Sequence, residues 1–105
     1  MKQASYSLQI ALDTSAGEFL SEALRAMTEL KWKQIESDDH ELVARVGVNF
    51  WSWGEVVTVS VVGNKVSFHS RCWGTYQVVD WGKNRKNVYK LLDQMGLKTY
   101  TVIKN

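Results

Sequence analysis

The chain has 105 residues and a mass of 12.0 kDa, the size of one domain with one hydrophobic core. Hydrophobic residues make up 45% and charged residues 23%, as in ordinary folded domains, which argues against intrinsic disorder. No stretch approaches the roughly 18 apolar residues of a membrane span, and the polar N-terminal sequence does not fit a secretory signal. We therefore expect neither.

Charge is distributed unevenly along the chain. The net charge is +2, yet residues 1–62 hold five Lys and Arg against nine Asp and Glu, whereas residues 63–105 hold eight against two. Such a split can indicate a surface that faces an anionic partner, and is more often the solvated surface of two different elements. The single cysteine, Cys72, cannot form an internal disulfide or a zinc site of several thiolates. We expect a cytoplasmic protein with no cofactor and no metal.

The first third of the chain predicts a strand and then a helix. Residues 5–12 alternate between apolar and polar side chains, the period of a half-buried strand. Ser15 and Glu18, three residues apart, fit a capping box. Apolar residues then recur at the i, i+3, i+4, i+7 spacing of an amphipathic helix, which we place at residues 16–30.

The rest of the chain predicts four strands and a second helix. The strands are joined by a polar turn, an aromatic loop and a Gly63-Asn64 hairpin signal, and they occupy residues 31–37, 41–48, 55–62 and 65–71. The second helix is placed at residues 83–95, where Gly96 is suited to the position after its end. The tail from residue 98 to residue 105 has the composition of a further short strand.

This order of elements predicts one α+β domain over residues 1–105. Short connections make the last four strands an antiparallel meander, and a right-handed crossover through the first helix brings strand one beside strand five. The expected sheet therefore has the order 1-5-4-3-2, with both helices on one face.

Element order and local motifs together carry a resemblance. The order resembles the repeat of the TATA-binding-protein-like fold, and the segments 52–55, 70–72 and 80–84, which read SWGE, SRC and DWGKN, resemble an uncharacterised family of small bacterial domains. The resemblance implies the fold and is nearly silent on function. The phenylalanines with which the TATA-binding protein kinks DNA have no match here, because the sheet face left open by the helices carries no aromatic residue. That face is predicted to hold Ser7, Gln9, Arg45, Thr58, Ser60, Ser67, His69 and Arg71.

Five tryptophans are expected at one end of the sheet, because the meander sends every tryptophan-bearing segment there. Such rings can form a small satellite core under the loops, or a partly open surface for a partner. The residues proposed for the aromatic surface are Trp51, Trp53, Trp73, Tyr76 and Trp81.

The start of the second helix is the sharpest candidate site. Lys83, Arg85 and Lys86 stand in a first turn, where the helix dipole favours carboxylates, and Gly82 and Asn84 flank them. These five residues predict a site for a small anion or an acidic protein. The opposing interpretation is that the cations are only solvated, or that Asp80 caps the helix or pairs with one of them.

Catalysis is not expected. Cys72 and His69 lie three residues apart on one strand, so their side chains face opposite sides of the sheet and cannot form a catalytic pair. Glu55 and Asp80 are weak evidence for an acid–base pair, because capping and salt bridges are more common roles for such carboxylates. The expected function is a non-catalytic binding or interaction module, monomeric, with nucleic-acid binding through the basic C-terminal half as the alternative. The monomer has one foreseen exception, in which the tail exchanges onto a neighbour's sheet edge.

Overall fold

The computed structural model describes residues 5–47, 54–72, 82–97 and 100–103. The helices and strands, in chain order, are β1 (Ser5–Ala11), α1 (Ala16–Glu29), β2 (Lys33–Ser37), β3 (Glu41–Val46), β4 (Glu55–Val62), β5 (Lys65–Cys72) and α2 (Lys83–Gln94). None of the helices in these ranges is long and apolar enough to cross a bilayer.

The five strands form one antiparallel sheet in the order β1-β5-β4-β3-β2, and this confirms the predicted topology. Glu55 at the start of β4 pairs with Val46 on one side and Cys72 on the other. Ser5 and Lys33 also lie in this region, because they pair with Arg71 and Arg45. We call this edge of the molecule the Glu55 end of the sheet.

Side chains on the inner face alternate as the sequence predicts. On β4, Val57, Val59 and Val61 are buried, and the period of two places their partners on neighbouring strands on the same side. The rings of Phe19 in α1 and Phe68 in β5 meet edge to face with centroids 6.0 Å apart. The inner face and the apolar stripes of both helices form a single core, which confirms the two-layer arrangement.

Both helices end in the same hydrogen-bonding motif. In α2 the N–H of Gly96 bonds to the carbonyl of Asp93 and the N–H of Leu97 to that of Leu92, with Gly96 at φ 76°. In α1 the N–H of Lys31 bonds to Thr28 and that of Trp32 to Met27, with Lys31 at φ 63°. The predicted start of β2 at residue 31 is therefore wrong by two residues, because Lys31 and Trp32 complete the end of α1.

The sheet edges are treated differently. In the edge strand β2, a bulge of one extra residue interrupts the pairing with β3 between Lys33 and Glu36, and Gln34 has φ 51°. Along β1 the tail supplies a partner: the N–H of Ala11 donates to the carbonyl of Thr101, and the N–H of Ile103 donates to that of Gln9. The tail thus makes one antiparallel bridge instead of a full strand.

Candidate functional site

The predicted anion site lies at the Glu55 end. Gly82 is the residue before α2, at φ 80°, and offers no capping side chain. Lys83, Arg85 and Lys86 follow in the first turn, and all three are exposed to solvent. These four residues therefore lie together at one exposed end of α2.

Asn84 has a different position from its basic neighbours. Its side chain is fully buried, its Oδ1 accepts a 2.7 Å hydrogen bond from Ser70 Oγ, and its Nδ2 lies 3.5 Å from Cys72 Sγ. The amide therefore holds the first turn of α2 against β5, and the Asn84 side chain is not part of the exposed basic cluster.

Asn84 belongs to a buried polar cluster that also contains Glu55, Ser70 and Asn87, each no more than 6% exposed. Asn87 Nδ2 donates to Glu55 Oε1 at 3.0 Å and to Ser70 Oγ at 3.3 Å. The Ser70 hydroxyl in turn donates a hydrogen bond to Asn84 Oδ1, so the four side chains form one chain of hydrogen bonds from β4 to α2. Sequence reasoning missed this cluster, although the inward position of Glu55 on β4 and the i, i+3 spacing of the two asparagines were signals for it.

The exposed cations on α2 differ from the single cation on α1 in their ion pairing. Arg25, the single cation of α1, forms ion pairs with Glu22 at 3.0 Å and Glu29 at 2.5 Å. On α2, within the described ranges, the four basic side chains have no ion pair with any carboxylate; they are Lys83, Arg85, Lys86 and Lys90. The charge asymmetry of the sequence thus becomes a difference between two neighbouring helices.

An aromatic pair adjoins the basic turn. The guanidinium of Arg85 lies 5.4 Å from the centre of the Tyr89 ring, a cation–π contact. The Tyr89 hydroxyl is 3.2 Å from that of Tyr6 on β1, and this hydrogen bond, with burial, raises the pKa of Tyr6. These contacts fix the side of α2 that carries Arg85 against the edge of the sheet.

The predicted aromatic surface, Trp51, Trp53, Trp73, Tyr76 and Trp81, lies outside the described residues. The fifth tryptophan, Trp32, is 8% exposed and belongs to the core. Gly54 and Cys72, which border two of these segments in sequence, lie at the Glu55 end of the sheet.

The shortest polar contact described on the open sheet face joins Ser7 and His69. Ser7 Oγ and His69 Nδ1 are 2.6 Å apart on the paired strands β1 and β5. Burial and then the positive charge of Arg71 lower the pKa of His69. Cys72 is fully buried on the inner face, so Cys72 and His69 face opposite sides of the sheet, as predicted. Within the described segments, no group of three or more His, Cys, Asp or Glu side chains is arranged to hold a metal ion.

Comparison with protein-family models and with curated proteins finds no match to this chain. The resemblance to small bacterial domains and to the TATA-binding-protein-like fold therefore stays a prediction.

Proposed function

We propose that this domain is a non-catalytic binding module, and that the basic first turn of α2 receives an anionic ligand or an acidic surface of a partner protein. The observation that carries the proposal is the set of exposed cations on α2, which have no carboxylate partner among the residues that the structure describes, next to a helix whose one cation is paired twice. A cation in the first turn opposes the helix dipole by about 0.3–1 kcal/mol. A bound anion would offset that cost.

The buried polar cluster supports the proposal because it sets the position of the basic turn. Asn84 and Asn87 fix α2 to β5 and to Glu55 through hydrogen bonds of 2.7 to 3.3 Å. A preorganised site loses less side-chain and backbone freedom on binding than a mobile one does. The full burial of Cys72 fits a non-catalytic role, since a thiol in such surroundings is unreactive. We place the domain in the cytoplasm, where a lone reduced thiol is ordinary.

Inorganic phosphate and sulfate are the first probes. Either anion should raise the melting temperature in a saturable way and change the tryptophan fluorescence. Changing Lys83 and Arg85 together to Glu should abolish both effects, while the favourable end charges, about 0.3–1 kcal/mol each, offset the lost contact between Arg85 and Tyr89 and keep the free protein folded. Loss of binding could then not be attributed to unfolding.

The matched control changes Lys33 and Lys65 to Glu, which alters the net charge equally at exposed positions on β2 and β5. This variant should keep the response to phosphate. An equal loss in both double variants would show that phosphate senses only the total charge. No response of the unaltered protein at high millimolar phosphate would refute the site for small anions, and an acidic peptide would then be titrated in the same way.

Nucleic-acid binding is the second candidate, and one observation favours it. Arg71 and Arg45 flank Val56 across three adjacent strands of the open sheet face, at the same end as the basic turn. Binding to phosphates would weaken steeply with salt because counterions are released. Mixed oligonucleotides titrated at low and moderate salt distinguish the candidates: steep salt-dependent binding favours this one, and no binding at low salt removes it.

A further inference from the structure

A pocket of about 310 Å³ lies at the opposite end of β1 from the basic turn of α2. Its floor reaches the core, since Ile10 is 2% and Phe19 5% exposed, and Leu97 and Tyr100 complete the apolar part of the wall. The tail that pairs with β1 contributes Tyr100 and Thr101, so it forms one side of the pocket.

Among the described residues that line the pocket, Asp13 is the one that carries a charge. In the part of the chain that the structure describes, its carboxylate makes no hydrogen bond and no ion pair, and it is exposed at the rim. A cavity with an apolar floor and one carboxylate at its mouth is complementary to a molecule with an apolar body and a cationic head.

We propose that this pocket binds a small primary amine that carries an aromatic or branched aliphatic group. The apolar group would lie against Ile10, Phe19 and Leu97, and the ammonium group would pair with Asp13. Ligand pockets commonly measure about 300–1,000 Å³, so this one admits a ligand of roughly ten non-hydrogen atoms. The proposal is independent of the anion site, because the pocket lies elsewhere and selects the opposite charge.

Three probes of one shape test the proposal: 2-phenylethylamine, 2-phenylethanol and phenylacetate. Binding is followed through the methyl signals of Ile10 and Leu97 in NMR spectra of the full chain. The amine should shift both signals in a saturable way and bind about two- to fivefold more tightly than the alcohol, the range expected of one exposed ion pair. Phenylacetate should bind most weakly.

Asp13→Asn should remove the preference for the amine and leave the affinity for the alcohol unchanged. The matched control is Asp39→Asn, which removes another exposed carboxylate, from the turn between β2 and β3. It should retain the preference, and melting curves of both variants establish that they are folded.

Each other outcome overturns the proposal. Equal affinity for amine and alcohol in the unaltered protein would show that Asp13 selects nothing. Tighter binding of phenylacetate would reverse the assigned charge. No shift of Ile10 and Leu97 with any probe at millimolar concentration would show that the pocket binds no ligand of this class.

Discussion

Lys31 shows how a single residue can hold an unfavourable backbone conformation. It occupies the position after α1 that Gly96 occupies after α2, with φ 63° against 76° and the same two hydrogen bonds. A residue with a Cβ atom is strained there by roughly 1–2 kcal/mol, whereas glycine is not.

Lys31→Gly should therefore raise the free energy of unfolding by about 0.5–1 kcal/mol, after allowance for the greater freedom of glycine in the unfolded chain. The reciprocal change, Gly96→Lys, should lower it by a similar amount. A Cβ at Gly96 would meet no atom within 4 Å, so steric overlap does not contribute. Urea unfolding of both variants measures the effect, and a loss of stability in Lys31→Gly would show that the lysine side chain outweighs the strain.

His69 illustrates the effect of surroundings on a single titratable group. Its pKa is lowered by burial and then by Arg71, so the folded protein binds the imidazole proton less readily than the unfolded chain does. His69 therefore contributes stability that is fully present above the ordinary value of 6.5 and is lost as the pH falls from there through the folded pKa.

Arg71→Gln should bring the pKa of His69 only part of the way back to its ordinary value, because burial remains. Arg71→Lys should leave the pKa nearly unchanged, because the positive charge stays. NMR titration of the imidazole follows both variants. A pKa that does not respond to Arg71→Gln would attribute the whole shift to burial.

The tail over residues 100–103 protects an edge of the sheet although it is only four residues long. Two of its hydrogen bonds cover the outer edge of β1, which would otherwise present unpaired backbone groups to a neighbouring molecule. With the other edge interrupted by the extra residue at Gln34, we expect the full chain to be a monomer.

Light scattering should give a mass near 12.0 kDa for the full chain. Removal of residues 98–105 should produce self-association and a lower free energy of unfolding, because β1 loses its partner. Ile103→Pro removes the donor to Gln9, about 1 kcal/mol, together with one half-buried side chain, and should give a smaller effect of the same sign. A dimeric full chain that becomes monomeric on truncation would instead show that the tail exchanges between two copies.

The strands, the topology and the parity of each inner face could be predicted, because alternation and hairpin signals are local in the sequence. The start of β2 was misplaced because Lys31 stands where a glycine would have marked the end of α1. The inward direction of Asn84 was missed because its two basic neighbours suggested a wholly exposed turn. The inward position of Glu55 and the spacing of the two asparagines indicate buried polar groups, but they do not say that Asn87 and Glu55 meet, because that hydrogen bond joins residues 32 positions apart.

On the scale of the whole molecule, the small net charge conceals a separation of negative and positive charge between the two helices. The acidic side chains of α1 and the basic side chains of α2 lie on neighbouring helices, which touch through a 2.8 Å hydrogen bond from Gln94 Nε2 to Glu29 Oε1. Fields of separated charges act over about a Debye length, roughly 8–10 Å in physiological salt.

An approaching molecule therefore experiences a torque before it experiences a contact. A negatively charged body would turn the domain so that α2 leads, and a positively charged one would turn α1 toward it. Each encounter would then begin already oriented, and fewer collisions would be wasted on the wrong face. In this way the two helices that cover the hydrophobic core would also orient the domain toward charged molecules.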